Sequence, residues 1–154
     1  MPAGDITKFN QFKVDLGNKR HDLDSDQWKA AFIDSTLAPL ATNAVPAWGG
    51  GGTTNLSTNE VSAGGNYTAG GIVLTSADFI DGGATAPWRF GKIAIASHAS
   101  NPTNCRWLIL YNNSDAIKRC VMFMDLGAVL DLTTGPFEFR FSSVDGVGAI
   151  ANFT

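Results

Sequence analysis

The chain has 154 residues, of which 16% are charged and 17 are glycine, and its formal net charge is −3. This length fits a single domain over residues 1–154, and the composition excludes a highly charged disordered chain and a coiled coil. The 11 basic residues are scattered along the chain, so we expect no nucleic-acid partner. There is no run of about 18 apolar residues and no visible export signal, so we expect no membrane partner.

The first predicted element is an N-terminal helix that Asp5 caps and Gly17 ends. Its apolar residues recur at near-helical spacing and are Ile6, Phe9, Phe12 and Leu16. A single apolar stripe on a polar helix has to be covered. Either the sheet of the same domain or a neighbouring subunit can cover it. In the second case Phe9 and Phe12 are interaction residues.

Short strands follow this helix. Their β-rich composition and alternation predict strands at residues 28–33, 72–74, 88–90, 93–95, 106–111, 117–126, 137–142 and 147–153. Turn composition predicts reversals at residues 81–83 and 112–115. Two of the strands, 106–111 and 117–126, are apolar on both faces, which is typical of central strands. A shift of the apolar phase at Gly91 and Lys92 predicts a β-bulge.

These elements together predict a mainly β fold. The sequence offers no second helix to cross over between parallel strands, so the sheet should be mainly antiparallel. We therefore expect an antiparallel β-sandwich or distorted barrel with one N-terminal helix.

Phenylalanine alternates strictly with charged residues near the C-terminus, which predicts a strand with one buried and one exposed face. Phe137, Phe139 and Phe141 should face the core. Glu138 and Arg140 should face solvent.

A long glycine-rich segment, residues 36–71, has no regular periodicity and contains four consecutive glycines at 49–52. Loops of this length are usually functional or disordered. We interpret the segment as an interaction arm that other subunits order, with Trp48, Leu56 and Tyr67 as its anchors. The alternative is a loop that packs on its own domain.

The sequence offers little to support catalysis or metal binding. His21 and His98 are the only histidines, and no recognisable nucleophile setting accompanies either of them. Residues 22–26 resemble the opening of a calcium loop, but Gln27 and Ile33 stand where such a loop needs glycine and glutamate. We therefore expect no enzyme activity, no catalytic or metal-binding residues and no cofactor.

Cys105 and Cys120 are the two cysteines, and they flank a predicted turn. They could lie opposite one another and pair. We favour two small buried side chains that stay unpaired, as expected in a reducing cytosol.

Several stretches resemble a family of small virion proteins of tailed bacteriophages. They span nearly the whole chain and are DITKFNQF (5–12), HDLDSD (21–26), GGNYTAGG (64–71), WLILYN (107–112) and DLG (125–127) before 137–141. The glycine run at 49–52 is longer than this pattern leads us to expect. The resemblance implies a capsid decoration (cement) protein that binds the major capsid protein as a homo-oligomer, either a dimer or a trimer. It also implies synthesis in the bacterial cytoplasm and a final location on the capsid surface.

Two other functions stay open at this point. One is a component of the tail or of the head–tail connector. The other is a carbohydrate- or host-binding module, which would need aromatic side chains on an exposed face. Trp48, Tyr67 and Trp88 are the candidates for such a face.

Overall fold

A computed structural model describes residues 6–75, 78–79, 86–140 and 148–153. In this part of the chain most regular elements are strands. They are β1 (Ile6–Lys8), β2 (Trp28–Ile33), β3 (Pro46–Ala47), β4 (Thr54–Asn55), β5 (Ile72–Val73), β6 (Asp78–Phe79), β7 (Ala86–Phe90), β8 (Ile93–Ile95), β9 (Cys105–Asn112), β10 (Cys120–Leu130), β11 (Phe137–Phe139) and β12 (Gly148–Phe153). The helix α1 spans Asn10–Gly17, and a short 3-10 helix spans Ser57–Asn59. Among the described residues, no helix has the length and apolar character required to span a membrane.

The largest sheet has five strands in the order β1-β10-β9-β2-β5, and every neighbouring pair in it is antiparallel. Its centre confirms the two strands that were predicted to be buried on both faces. The turn between them is also confirmed, since Asn112 Oδ1 accepts from the amides of Ser114 and Asp115 at 2.8 and 3.1 Å. A parallel pair joins the two-residue strands β3 and β4.

The remaining strands form two smaller sheets, β12-β7-β6 and β11-β8. Their described side chains pack against one face of the five-stranded sheet, so the arrangement is sandwich-like and mainly antiparallel, as predicted. The weak final strand predicted at 147–153 is confirmed as β12. The predicted turn at 81–83 lies outside the described residues.

The predicted β-bulge at Gly91 and Lys92 is wrong. β7 and β8 belong to different sheets, and the chain leaves one sheet and enters the other at these two residues. Both Phe90 and Ile93 are buried. The phase shift therefore keeps an apolar side chain inward on each side of the crossing.

The N-terminus also departs from the prediction, because Ile6–Lys8 is a strand paired with β10. The amide of Phe9 continues this pairing by donating to the carbonyl of Val121 at 3.0 Å. The helix begins only at Asn10, and Phe9 occupies its N-cap position without a side-chain hydrogen bond. The predicted cap at Asp5 is therefore wrong, whereas the predicted end at Gly17 is confirmed.

Both faces of the five-stranded sheet are buried. Alternate residues of β2 show this, since Trp28 and Phe32 belong to the core shared with the smaller sheets, whereas Ala31 and Ile33 belong to a second core. Residues 36–71 cover much of the second core and contribute two buried side chains to it, Trp48 and Leu56. The whole second core consists of Phe9, Ala31, Ile33, Trp48, Leu56, Ile109, Tyr111, Cys120 and Phe123.

We call residues 36–71 the covering segment. Two glycines in it lie where a larger residue does not fit. Gly71 has a φ of +76°, and a Cβ there would lie 2.1 Å from the carbonyl oxygen of Ala30. A Cβ at Gly52 would lie 2.4 Å from the carbonyl oxygen of Val45. Glycine at these positions permits close backbone packing, so the glycine-rich composition does not indicate a flexible arm here.

Cys105 and Cys120 lie at opposite ends of the β9–β10 pair, because Cys120 faces Tyr111 and Cys105 faces Leu130. Both are buried and unpaired, which confirms the interpretation as small apolar side chains. Burial raises the pKa of the Cys105 thiol to about 12.

The alternation near the C-terminus is confirmed where the structure describes it. Phe137 and Phe139 pack against the core, and Glu138 and Arg140 are exposed. Phe141 lies outside the described residues.

Candidate functional site

The five side chains predicted to contact partners are all buried within the chain itself. Their exposed fractions are 0% for Phe9, 1% for Phe12, 5% for Trp48, 0% for Leu56 and 1% for Tyr67. In this structure they pack within their own chain, which favours the alternative of a loop that packs on its own domain; contact with another subunit stays a prediction. The physical reason for this burial is that both faces of the central sheet are apolar and have to be covered. Phe12 and Tyr67 belong to the core shared with the smaller sheets, and Phe9, Trp48 and Leu56 belong to the second core.

Trp48 is the central contact of the covering segment. Its ring stacks on that of Tyr111, with centroids 5.1 Å apart and planes 9° from parallel. Its amide donates to the carbonyl of Lys118 at 2.8 Å, and the amide of Leu56 donates to Ala47 at 2.9 Å. The segment thus continues the hydrogen bonding of the sheet as well as covering it.

Tyr67 and Glu60 hold the other end of the segment. The Tyr67 hydroxyl accepts from the amide of Phe32 and donates to Glu60 Oε1, both at 3.0 Å. The amide of Gly70 donates to the same carboxylate oxygen at 2.6 Å. Burial raises the pKa of Tyr67 far above its usual range, so the hydroxyl keeps its proton and its donor role.

The helix packs on its own domain, which confirms one of the two interpretations of its apolar stripe. Phe12 joins an aromatic cluster in which its ring lies 5.8 Å from Trp88. Phe9 contacts Phe123 on the other face of the sheet, at 4.9 Å between ring centroids.

The apolar side chains that do reach solvent are different ones. Among the described residues, the large ones that are more than a third exposed are Val14, Leu40, Val73 and Val129, with 53%, 58%, 45% and 51% of their surface accessible. They come from α1, the covering segment, β5 and β10. Amino-acid composition does not identify these exposed residues, because exposure depends on which face of each element the rest of the fold covers.

An ion pair between Arg106 and Asp125 lies beside the half-buried ring of Trp107 on β9. The Arg106 guanidinium makes two hydrogen bonds to the carboxylate of Asp125 and lies 5.0 Å from the centre of the Trp107 ring. The amide of Gly127 donates to the same carboxylate at 2.6 Å. Although partial burial opposes it, these hydrogen bonds hold the pKa of Asp125 below its usual value.

A second polar cluster, which we call the polar junction, joins the loop after α1 to the turn between β9 and β10. Its members are Asp15, His21, Asp26, Asn112, Asp115 and Arg119. Asn112 is fully buried, and its Nδ2 donates to Asp26 Oδ2 at 2.6 Å and to His21 Nδ1 at 3.0 Å. The sequence carries no signal for this cluster, because its residues are far apart in the chain.

The charges of the polar junction are partly buried ion pairs. Arg119 donates to Asp115 at 2.5 Å. Its Nε lies 3.6 Å from Asp15, a carboxylate that is almost fully buried and also lies 3.8 Å from Arg20. Gln11 donates to Asp15 at 3.0 Å. Asp15 thus lies close to one cation from the loop after α1 and one from the hairpin.

An open surface cleft of about 420 Å³ lies next to the polar junction and is lined by Lys19, His21, Asp22, Leu23 and Asp24. The Asp22 carboxylate accepts from the amides of Asp24 and Ser25 at 3.0 and 3.1 Å. Hydrogen bonds from Ser25 and Asp24 lower the pKa of Asp22. Among the described residues, no three His, Cys, Asp or Glu side chains are grouped as a metal site requires. The acidic residues of this loop instead shape its backbone.

Comparison of the chain with family models, with curated proteins and with solved structures finds no match.

Proposed function

We propose that this protein is a virion structural protein of a tailed bacteriophage, and that it decorates the outer surface of the capsid. In this proposal it binds the lattice of the major capsid protein as a homo-oligomer, after synthesis in the bacterial cytoplasm. The proposal starts from the sequence stretches that resemble such proteins.

The observation that carries the proposal is where those stretches lie in the fold. Residues 107–112 form the centre of the main sheet, and residues 64–71 bring Tyr67 and Gly71 against β2. Residues 21–26 bond to the turn of the β9–β10 hairpin. The resemblance therefore falls on the residues that build the framework, as expected if the protein acts by its shape.

The packing is also compatible with that role. A decoration protein has to remain folded before it meets the capsid, and the covering segment is bonded to the body at both ends. The exposed apolar side chains on α1, the covering segment, β5 and β10 are then the ones available to a partner. Isolated apolar side chains are normal on any surface, so they indicate available contacts and not a defined interface.

The test is the amount of this protein in purified virions of the phage that encodes it. Quantitative mass spectrometry should find a copy number comparable to that of the major capsid protein. Purified protein should also bind in the same ratio to capsids that lack it. A copy number of only a few per particle would contradict decoration and favour a tail or head–tail connector component.

The alternative of a carbohydrate- or host-binding module loses its original support. It required an exposed aromatic face, and its three candidates, Trp48, Tyr67 and Trp88, are all at most 5% exposed. Trp107 is half-buried and is the aromatic residue to examine if the capsid test fails.

A further inference from the structure

The carboxamide of Asn112 can adopt only one orientation. Its Oδ1 accepts from the amides of Ser114 and Asp115, and its Nδ2 donates to Asp26. Turning the group over would place Nδ2 against two N–H donors and Oδ1 against a carboxylate. The remaining Nδ2 hydrogen is therefore directed at His21 Nδ1, 3.0 Å away.

This orientation sets the tautomer of the neutral His21 ring. Since Nδ1 accepts a hydrogen bond, the neutral ring carries its proton on Nε2. Nε2 is buried and has no hydrogen-bond partner in the described part of the chain. Adding a second proton at Nδ1 would set two N–H donors against each other, so the bond to Asn112 cannot survive it.

The surroundings of His21 oppose a charged ring. The imidazole lies 5.7 Å from the ring of Phe12 and 5.6 Å from that of Trp28. Burial is the main cause that lowers the pKa of His21, and Arg119 acts in the same direction. The carboxylates that oppose this effect are Asp15 from α1, Asp26 from the same loop and Asp115 from the hairpin turn.

We propose that His21 and Asn112 form an acid-sensitive latch, in which protonation of His21 releases residues 21–26 from the β9–β10 hairpin. The carbonyl of Leu23 accepts from Trp88 Nε1 at 2.9 Å, and Trp88 lies 4.6 Å from Trp28 between ring centroids. Release therefore uncovers the edge of the aromatic core. The latch does not depend on the proposed role in the capsid.

The direction of the pH effect follows from linkage. The closed latch is fully stable above the pKa of a histidine in the open loop, about 6.5. It loses stability as the pH falls from there toward the lower pKa of the closed form. Over that interval the ratio of open to closed protein rises by up to about tenfold per pH unit.

The test uses the whole protein in solution, titrated from about pH 7.5 to about 5.5, which stays above the usual carboxyl range. Nitrogen-15 NMR of the imidazole should show the proton on Nε2 at the upper end. As His21 titrates, hydrogen-exchange protection should fall at the amides of Ser114 and Asp115. Protection at the amide of Phe32, inside the sheet, should not change. A proton on Nδ1 at neutral pH, or unchanged protection at Ser114 and Asp115 once His21 is protonated, would overturn the latch.

A pair of variants assigns the effect to one histidine. His21→Gln keeps an oxygen that can accept from Asn112 but does not titrate, so its hairpin protection should not depend on pH in this range. His98→Gln alters the other, exposed histidine and should retain the full pH dependence. The opposite result, with pH dependence kept in H21Q and lost in H98Q, would refute the proposal. If H21Q does not fold, the measurements on the unaltered protein decide the question alone.

Discussion

The β9–β10 hairpin and the segment 36–71 lie against one another in the fold, yet sequence patterns describe them very differently. The hairpin is apolar on both faces and was predicted as the centre of a sheet. The segment is rich in glycine and was predicted as an arm that other subunits order. In the structure the segment covers a face of that same hairpin, where Trp48 stacks on Tyr111. A strand that is apolar on both faces thus requires a second covering layer, and this layer need not be regular.

The largest expected effect tests whether the segment stabilises the free protein. Trp48→Ala removes a buried ring and should lower the free energy of unfolding by about 3–5 kcal/mol. Chemical denaturation of the isolated protein measures it.

Leu40→Ala is the matched control within the same segment, because Leu40 is 58% exposed. It should change stability by less than about 0.5 kcal/mol. The usual loss on truncating a buried aromatic side chain is about 3–5 kcal/mol. If Trp48→Ala lowers the free energy of unfolding by less than about 1 kcal/mol, far below that range, the segment is an arm that other subunits order. Hydrogen exchange gives a second check, since the amides of Trp48 and Leu56 should be protected in the free subunit.

Two glycine substitutions sharpen the comparison at the level of the backbone. Gly71→Ala should cost at least about 1–3 kcal/mol, because of the positive φ, and the overlap with the carbonyl of Ala30 adds to this. Gly50→Ala should be neutral within about 0.5 kcal/mol, because nothing lies within 4 Å of the added Cβ. Equal thermal stability of the two variants would show that close packing at Gly71 is not required.

Removing the hydroxyl of Tyr67 tests the hydrogen bonds that link the covering segment to the sheet. Tyr67→Phe leaves the buried amide of Phe32 without its acceptor and should cost about 1–3 kcal/mol. Tyr111→Phe removes one hydrogen bond, to the carbonyl of Gly70 at 2.6 Å, and should cost only about 0.5–1.5 kcal/mol. If Tyr111→Phe lowered the denaturation midpoint more than Tyr67→Phe does, the stronger hydrogen-bonded link would be the one at Tyr111.

Alkaline pH should weaken the protein through its buried thiols and phenols. Burial raises the pKa values of Cys105, Cys120, Tyr67 and Tyr111. Stability is therefore fully present below the unfolded-state values, about 8.5 for cysteine and 10 for tyrosine, and falls as the pH rises above them. Unfolding midpoints measured across this range check it. The Cys105→Ala, Cys120→Ala double variant should lose the part that begins at the lower pH, and a profile identical to that of the unaltered protein would contradict the assignment.

The smallest expected effect is that of chelator or reductant. Cys105 and Cys120 are unpaired, and the Asp22 carboxylate accepts hydrogen bonds from backbone amides. We expect either reagent to leave the melting temperature nearly unchanged. A drop of many degrees would reveal a disulfide or a metal ion that holds the fold.

Local chemistry allowed the regular parts of the fold to be predicted. Apolar residues on both faces located β9 and β10, strict alternation located β11, and Gly17 marked the end of the helix. Where the predictions failed, a partner distant in the chain decided the outcome. Ile6–Lys8 has helical spacing but pairs with the edge of β10, and the break at Gly91 has the pattern of a bulge but separates two sheets.

The candidate site shows the same division. Residue type alone identifies Trp48, Leu56 and Tyr67 as members of a larger set of apolar side chains in the segment. That these three face inward while Leu40 faces solvent follows from the fold, because burial depends on what lies opposite a side chain and not on its type. The fold also brought His21 against Asn112, 91 positions apart in the chain. Hydrogen-bond networks of this kind have no sequence period, since each member is placed by a different element, so only the assembled fold reveals them.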